Sequence, residues 1–404
     1  MQMISVGIDV SKGKSTVCVM KPGGEVLKTP FEILHTKEDL CALVKAIDSY
    51  DEEVRVVLEN TGYYHWPVVT ALVEHGIFVC VVNALRMKKY CAQSIRKAKN
   101  DRIDSIRIAS YGITYWSELV AAKASDEIYT ELRLLARQYY QTVSMLVKAR
   151  VNLSNLIDQA MPGISKIMQD SRSNHKLTDF VARYWHLENI TNMGTKRFTS
   201  DYCKWAKKQG YLMSERLASQ ILAVAQNGIP VLPNSPITKV IVTEAVRVVH
   251  QIELTRNTIL AQMQELAKTL PEYSVLINMP GIGDTYAARL IAEIGDVRRF
   301  KNKHALIAYA GIDAPPYQSG SFNANERHIS KRGNKYLRKT GYEVMQYISG
   351  HKPVGDAIYE FIAKKLAEGK MPTDAKISGL NKFLRVYYGR VTELYKNLNA
   401  QIAA

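Results

Sequence analysis

Hydrophobic and polar residues alternate along the first part of the chain in a way that predicts a mixed sheet with helices between its later strands. A Pro-Gly-Gly turn joins the second predicted strand to the third. The resulting order, β-β-β-α-β-α-β-α, matches the ribonuclease H-like arrangement, in which the first and fourth strands are neighbours. The predicted elements are strands at 3–10, 14–20 and 25–34, a helix at 36–49, a strand at 53–59, a helix at 63–75, a strand at 77–82 and a basic helical region at 84–118.

Two long amphipathic helices are predicted farther along, at about 126–160 and 238–270. Apolar residues in the second follow a repeat of about 3.5 residues, which predicts a coiled-coil seam, so the two helices are expected to pair or to dimerise. The seam residues are Ile241, Ala245, Val248, Ile252, Ile259 and Leu266. The aromatic-rich stretch between the helices, about 164–234, is expected to be a small packed insertion whose rings form a core.

The last region begins with Pro-Gly-Ile-Gly at 280–283, directly before a helical pattern. This turn resembles the helix-hairpin-helix element, in which backbone amides of Gly281 and Gly283 could approach a DNA phosphate, although such a turn is also a common connector. The predicted division is a RuvC-like domain at 1–120, a helical coiled-coil domain at 121–273 that contains the insertion, and a small basic α-helical domain at 274–404.

The charge balance points to nucleic acid as the partner. The chain has 404 residues, with 54 Lys and Arg against 38 Asp and Glu, for a net charge of +16. The excess is clustered, with eight basic and two acidic residues at 86–107 and ten basic and two acidic residues at 298–339. Each charge alone could be a solvated surface residue. The candidate phosphate contacts are Arg96, Lys97, Lys99, Arg102, Lys331, Arg332, Lys335 and Arg338.

No apolar run is long enough to span a membrane, and no signal peptide precedes the first strand, so a cytoplasmic protein is expected. The five cysteines have no metal-binding or disulfide spacing. They are expected to be buried thiols, with Cys18 and Cys80 inside apolar strands.

Four acids are placed to converge. Asp9 lies near the end of the first strand and Glu59 at the end of the fourth, while Asp101 and Asp104 are three residues apart and share a helix face. Carboxylates gathered without a cation would repel one another, so their convergence predicts bound Mg²⁺, which in pairs can promote phosphodiester displacement. Taken singly, each acid could instead cap a turn, begin a helix or end a strand in solvent.

A candidate nucleophile follows in the last region. Ser319 lies in a Tyr-Gln-Ser-Gly segment just before a basic stretch. A serine hydroxyl attacks phosphorus only with help from a base, a metal or a strong field. Ser319 could also be an ordinary turn serine, and Tyr317, Ser321 and Ser330 are rival nucleophiles.

Several motifs together resemble the DEDD transposases of bacterial insertion sequences, a group related to Piv DNA invertases that includes the bridge-RNA-guided recombinases. The motifs are GIDVSK at the start, ENTG at 59–62, KNDRID at 99–104, PGIG at 280–283, QSG at 318–320 and ISKRGNKYLR at 329–338. They occur in both end regions of the chain, whereas the middle insertion has no counterpart among them.

The resemblance implies a RuvC-like domain whose acids, Asp9, Glu59, Asp101 and Asp104, bind Mg²⁺. It implies a C-terminal domain whose serine, Ser319, attacks donor and target DNA and forms a phosphoserine intermediate. It further implies a composite active site in a dimer of dimers and, in some members, a structured guide RNA.

Three other functions stay open. A RuvC-like Mg²⁺ nuclease would hydrolyse DNA with water and leave Ser319 structural. The opening GIDVSKGKSTVCVM also resembles the phosphate loop of actin-like sugar kinases, although no second glycine-rich strand turn follows. A non-catalytic nucleic-acid-binding assembly protein would need only the long helices and the positive charge.

Overall fold

The computed structural model describes residues 3–60, 62–92, 100–122, 127–171, 174–315, 318–319, 322–323 and 328–403. The chain divides into two compact units, Met1–Ser125 and Asp126–Ala404.

The first unit is built on a five-stranded mixed sheet. Its strand order is β3-β2-β1-β4-β5, with β1 antiparallel to β2 and parallel to β4. The predicted ribonuclease H-like order is therefore confirmed. The central strand β1 is almost continuously apolar and buried, which fits a strand with both faces covered. The strands are β1 (Met3–Val10), β2 (Lys14–Met20), β3 (Val26–Leu34), β4 (Glu53–Glu59) and β5 (Phe78–Val82).

The described residues of this unit also form the α-helices α1 (Lys37–Asp48), α2 (Trp66–Glu74), α3 (Ala84–Cys91) and α4 (Asp101–Thr114). Helices α1 and α2 cover one face of the sheet, and α4 covers the other. The prediction of one basic helical region at 84–118 is wrong, because α4 starts anew at Asp101. The side chain of Asn100 accepts a hydrogen bond from the amide of Ile103 and so caps the new helix.

Two glycines allow α4 to lie directly on β1. A Cβ at Gly7 would be 2.2 Å from the Ala109 nitrogen, and one at Gly112 would be 2.1 Å from Ser5 Oγ. Position 112 thus lies beside residue 5 of the strand, and position 109 lies beside residue 7. Helix α4 therefore runs opposite to β1, and its first turn lies towards the end of the strand that carries Asp9.

The second unit is helical apart from a two-stranded pair. Its longest helices, α5 and α11, pack against each other and contribute to both hydrophobic cores of the unit. The helices are α5 (Glu127–Ala160), α6 (Ile164–Ile167), α7 (Lys176–Tyr184), α8 (Leu187–Thr191), α9 (Thr195–Lys208), α10 (Glu215–Asn227), α11 (Pro236–Lys268), α12 (Pro271–Ile277), α13 (Asp284–Ile294), α14 (Lys303–Ala310), α15 (Lys335–His351), α16 (Ala357–Ala367) and α17 (Pro372–Ala403). The strands are β6 (Gln318–Ser319) and β7 (Phe322–Asn323).

The pairing of the two long helices within one chain is confirmed, but the predicted seam is wrong by one position. Val242, Val246 and Val249 face the core of the unit, whereas Ile241 and Val248 are 45% and 48% exposed. That the pair winds into a coiled coil stays a prediction.

The insertion has the aromatic core that was expected. Phe180, Tyr184, Phe198, Tyr202 and Trp205 are all buried in one cluster with residues of α5 and α11. Their rings contact one another at centroid distances of 4.6 to 6.3 Å. The rings therefore stabilise the insertion as its core.

The cysteines are all free thiols. Cys18 and Cys80 are buried, as predicted, but Cys41 is exposed, so the expectation of a buried thiol is wrong there. Within the described part of the chain, no helix combines the length and the apolar character that a membrane span requires.

Candidate active site

Asp9 and Glu59 lie side by side in the sheet of the first unit. Strands β1 and β4 are parallel with Ile8 opposite Leu58, so the next residue of each strand is one of the two acids. Side chains alternate between the faces of a strand, which places Asp9 on the face of Gly7, beneath α4. Glu59 likewise shares the face of Val57, which packs with residues of α4. The two acids are half-buried and lie on the same face at the same edge of the sheet.

The other two acids are in the first turn of α4, the position that the helix-start alternative gave them, and their spacing of three residues places them on one helix face. Asp101 is exposed, and its charge helps raise the pKa of Lys14, which pairs mainly with Glu32. The carboxylate of Asp104 forms an ion pair with Arg107 at 3.3 Å. An acid in the first turn also interacts favourably with the positive end of the helix dipole.

The pKa of the Cys91 thiol provides evidence that acids from β4 and α4 act on one point. Burial raises this pKa most strongly, the charge of Arg107 lowers it, and the charges of Asp104 and Glu59 raise it further. Both carboxylates are thus within electrostatic reach of the same sulfur. The side chains of Glu59 on β4 and Asp104 on α4 therefore lie near the same point.

The donor chemistry of these four acids suits a hard divalent cation, which prefers carboxylate oxygens. The structure does not assemble them into a coordination shell. Among the described residues, no three His, Cys, Asp or Glu side chains have the arrangement needed to hold a metal ion. To bind a metal, the carboxylates would have to move closer together. Asp104 would then have to leave its ion pair with Arg107.

The basic segment before α4 is described only in part. Arg96, Lys97 and Lys99 lie outside the described residues, whereas Arg102 is exposed in the first turn of α4, next to Asp101. Phosphate contact by any of the four stays a prediction.

Ser319 belongs to the second unit. Strand β6 pairs with β7 in antiparallel fashion, with Ser319 opposite Phe322. Of the rival nucleophiles, Tyr317 and Ser321 lie outside the described residues. The third, Ser330, donates its hydroxyl hydrogen bond to the carboxylate of Asp313 at 2.5 Å.

The Pro-Gly-Ile-Gly turn connects α12 to α13. Gly281 has φ of 79°, which favours glycine, and a Cβ there would be 2.8 Å from the Ile348 side chain. Gly283 begins α13 without a capping side chain, and open space surrounds the position of a Cβ. The turn leaves the amide end of α13 accessible, and its use as a phosphate site stays a prediction.

The basic residues after β7 differ in their surroundings. Lys331, Arg332 and Lys335 are exposed. Arg338 is half-buried, and its Nη1 donates to the carbonyls of Ala310 at 2.9 Å and Gly333 at 3.1 Å. Burial lowers the pKa of Arg338.

Comparison with known proteins matches both ends of the chain to transposases. The DEDD transposase model of the IS110 group matches residues 6–162, and the transposase model of the IS116/IS110/IS902 family matches residues 273–360. The chain belongs to the IS110/IS116 family of DEDD transposases. The family resemblance expected from the motifs is thus confirmed.

Relatives of this transposase align over nearly its whole length. The insertion element IS110 protein of 43.6 kDa from Streptomyces coelicolor is 21% identical over 98% of this chain and 94% of its own length. The pilin gene-inverting protein of Moraxella bovis is 20% identical over 96% of this chain and 95% of its own. Among solved structures, Thermus thermophilus RuvC matches 29% of this chain and 96% of its own, with 14% identity and a TM-score of 0.24.

Sequence reasoning missed a buried ion pair in the second unit of the transposase. Glu293 of α13 is fully buried and accepts two hydrogen bonds from Arg137 of α5, each 3.0 Å long. Asn334, at the start of α15, donates to the same carboxylate at 2.7 Å. A single acid inside the apolar run LIAEIG was the available signal, because a buried charge requires a partner.

Proposed function

We propose that this transposase cuts, exchanges and rejoins DNA strands, with Ser319 as the nucleophile and Mg²⁺ bound by Asp9, Glu59, Asp101 and Asp104. The register of β1 and β4 carries the proposal. It places Asp9 and Glu59 together on the face that α4 covers, where the first turn of the helix brings Asp101 and Asp104. Carboxylates from these elements would supply the oxygen donors that a divalent cation prefers.

The reaction at Ser319 balances without water or an external energy source. Its Oγ forms a bond to phosphorus while the bond from phosphorus to a deoxyribose oxygen breaks, and the leaving oxygen takes a proton. The phosphoserine ester conserves the phosphodiester, so a hydroxyl of another strand can attack it and release the serine. Bound Mg²⁺ would stabilise negative charge on the phosphate oxygens.

The acids and Ser319 come from the two different units of the chain. We propose that they meet across subunits in a dimer of dimers, as the family resemblance implies. The net charge of +16 supports DNA and a structured guide RNA as partners that are held by their phosphates, while base pairing selects the sequence. We propose that the protein binds this DNA in the bacterial cytoplasm.

The decisive experiment looks for a covalent protein–DNA adduct. Full-length protein with its co-purifying RNA is incubated with DNA that carries the element ends, with and without Mg²⁺, and separated on a denaturing gel. The expected adduct requires Mg²⁺ and is lost in Ser319→Ala. Ser321→Ala and Tyr317→Phe are matched controls for the rival nucleophiles and should keep the adduct.

Two of the alternative functions, the nuclease and the assembly protein, have their own outcomes in this experiment. Cut DNA without an adduct would mean a nuclease that uses water, and loss of the adduct in a control variant would move the nucleophile to that residue. Binding without any cutting, together with normal transposition in cells by Asp9→Ala or Asp104→Ala, would favour a non-catalytic assembly protein.

Guidance by RNA is tested separately. Ribonuclease treatment of the purified protein should abolish the adduct, and adding back the recovered RNA should restore it. An adduct that survives the treatment would mean that the protein reads DNA directly.

A further inference from the structure

The two stretches that flank the Ser319 segment lie side by side in the second unit. The stretch before it, 309–313, and the stretch after it, 328–334, are paired through their backbones. The paired atoms are the Asn334 nitrogen with the Tyr309 oxygen at 2.6 Å, the Lys331 nitrogen with the Gly311 oxygen at 3.0 Å, and the Ser330 nitrogen with the Asp313 oxygen at 2.8 Å.

Two glycines allow these stretches to approach each other closely. A Cβ at Gly333 would be 2.1 Å from the carbonyl oxygen of Tyr309. One at Gly311, which has φ of 67°, would be 2.5 Å from the nitrogen of Gly333. The neighbouring atoms belong to the backbone, so they could not give way as a flexible side chain would.

Side chains reinforce the pairing on both sides. Arg338 donates to the carbonyls of Ala310 and Gly333 and so joins the two stretches. Asn334 caps α15 through the amide of Tyr336 and also donates to the buried carboxylate of Glu293. The paired stretches are therefore fixed to the core of the second unit.

A hydrogen bond between the side chains of Asp313 and Ser330 joins the two stretches close to the Ser319 segment. Among the described residues, these are the last paired residue before the Ser319 segment and the first after it, six and eleven residues from Ser319. The Ser330 hydroxyl donates to Asp313 Oδ1 at 2.5 Å, which is at the short end for a hydroxyl and a carboxylate. Among the contacts that the described residues make between the two stretches, this side-chain bond is the one nearest the segment.

We propose that Asp313 and Ser330 are positioning residues for strand transfer: their hydrogen bond holds the two ends of the Ser319 segment together and so sets the approach of Ser319 to phosphorus. The inference rests on the proposed role of Ser319. Displacement of a reacting group by about 1 Å can slow a reaction on the order of 100-fold. A contact that fixes both ends of the segment can thus control the rate without touching DNA.

The test measures the rate of adduct formation by the full-length protein with its RNA, at saturating DNA that carries the element ends. Asp313→Ala and Ser330→Ala should each slow the reaction on the order of 10- to 100-fold. Their affinity for DNA should be unchanged, and the double variant should be no slower than either single one, because both remove the same contact. The final adduct should still form, since Ser319 remains.

Two conservative variants separate the hydrogen bond from other roles. Asp313→Asn keeps an oxygen acceptor and Ser330→Thr keeps a hydroxyl donor, so both should react near the wild-type rate. Ser235→Ala is the matched control, because it removes the serine that caps α11 in the same unit. It should reduce thermal stability without changing the rate at saturating DNA.

The outcomes distinguish this inference from the proposed function. A wild-type rate in Ser330→Ala, with the adduct still dependent on Ser319, would overturn the positioning role alone. An Asp313→Asn variant as slow as Asp313→Ala would show that the charge of Asp313 matters, and this would also overturn the positioning role. Complete loss of the adduct in Ser330→Ala would make Ser330 the nucleophile. A wild-type protein without a Ser319-dependent adduct would reject both proposals. If Asp313→Ala does not fold, the Ser330 variants decide.

Discussion

Gly7 is a single residue on which the placement of two candidate acids depends. Because a Cβ there would be 2.2 Å from the Ala109 nitrogen, Gly7→Ala must push α4 away from β1. We expect the free energy of unfolding to fall by about 1–3 kcal/mol, as for other overpacked sites. Urea denaturation measures this change. Gly350→Ala is the control, because its new Cβ meets open space within a helix. Its free energy of unfolding should stay the same or rise. An equal loss in both variants would mean that the close contact at Gly7 is not the cause.

Cys91 reports on the charges at the same edge of the sheet. Its raised pKa means that the thiolate forms only at a higher pH than for an ordinary thiol, so alkylation by iodoacetamide should be slow at pH 8. Asp104→Asn removes a charge that raises the pKa, so the pKa should fall and alkylation should accelerate. Mass spectrometry of the Cys91 peptide measures the rate.

Asp101→Asn is the matched control for this measurement. Asp101 is in the same helical turn as Asp104, but its charge is not among the main causes of the Cys91 pKa shift. Its substitution should leave the alkylation rate unchanged. Equal acceleration in both variants would mean that the helix end had opened rather than that a local charge had been lost.

At the scale of elements, the sheet could be predicted because its pattern is unambiguous. Strands β1, β2, β4 and β5 each hold a short apolar run near turn residues, whereas β3 is mostly exposed, and the apolar length of β1 favours the centre of the sheet. Asp9 and Glu59 follow from the same pattern, because each lies at a strand end. The break before α4 was missed because the capping signal of Asn100 is one residue within a basic run.

The seam of α11 could not be fixed from the sequence for a different reason. Apolar residues occur there as adjacent pairs, Ile241 with Val242, Ala245 with Val246, and Val248 with Val249. Both members of each pair satisfy a heptad spacing, so only the packing partner decides which one is buried. The bond between Asp313 and Ser330 was also unpredictable, since its partners are 17 residues apart with no shared periodicity.

The corrected seam has a direct test. Val246 is 3% exposed and Val248 is 48% exposed, so an aspartate at position 246 would bury a charge without a partner. We expect Val246→Asp to lower the free energy of unfolding by about 3 kcal/mol or more and Val248→Asp by less than about 0.5 kcal/mol. Chemical denaturation of the two proteins provides the comparison. A larger loss in Val248→Asp would restore the originally predicted seam.

At the scale of the whole molecule, positive charge is present in both units. The segment 86–107 belongs to the first and 298–339 to the second, and together they hold 18 of the 54 basic residues. Affinity for nucleic acid should then fall steeply with salt, because each neutralised phosphate releases counterions. Roughly six contacts would give a slope of about −5 in a plot of log affinity against log salt concentration.

The exposed lysine at the end of the Ser319 segment should account for part of that slope. Lys331 has its side chain in solvent and its backbone at φ of 52°, fixed by the bond of its amide to Gly311. Lys331→Ala should weaken binding to different DNA sequences by a similar factor and reduce the slope by about 1, as for a phosphate contact. Lys268→Ala removes a lysine already paired with Glu265 and should leave the slope unchanged. Fluorescence anisotropy over a range of salt concentrations measures the affinity and the slope for each variant. Equal slopes in the wild type and Lys331→Ala would exclude Lys331 from the phosphate contacts.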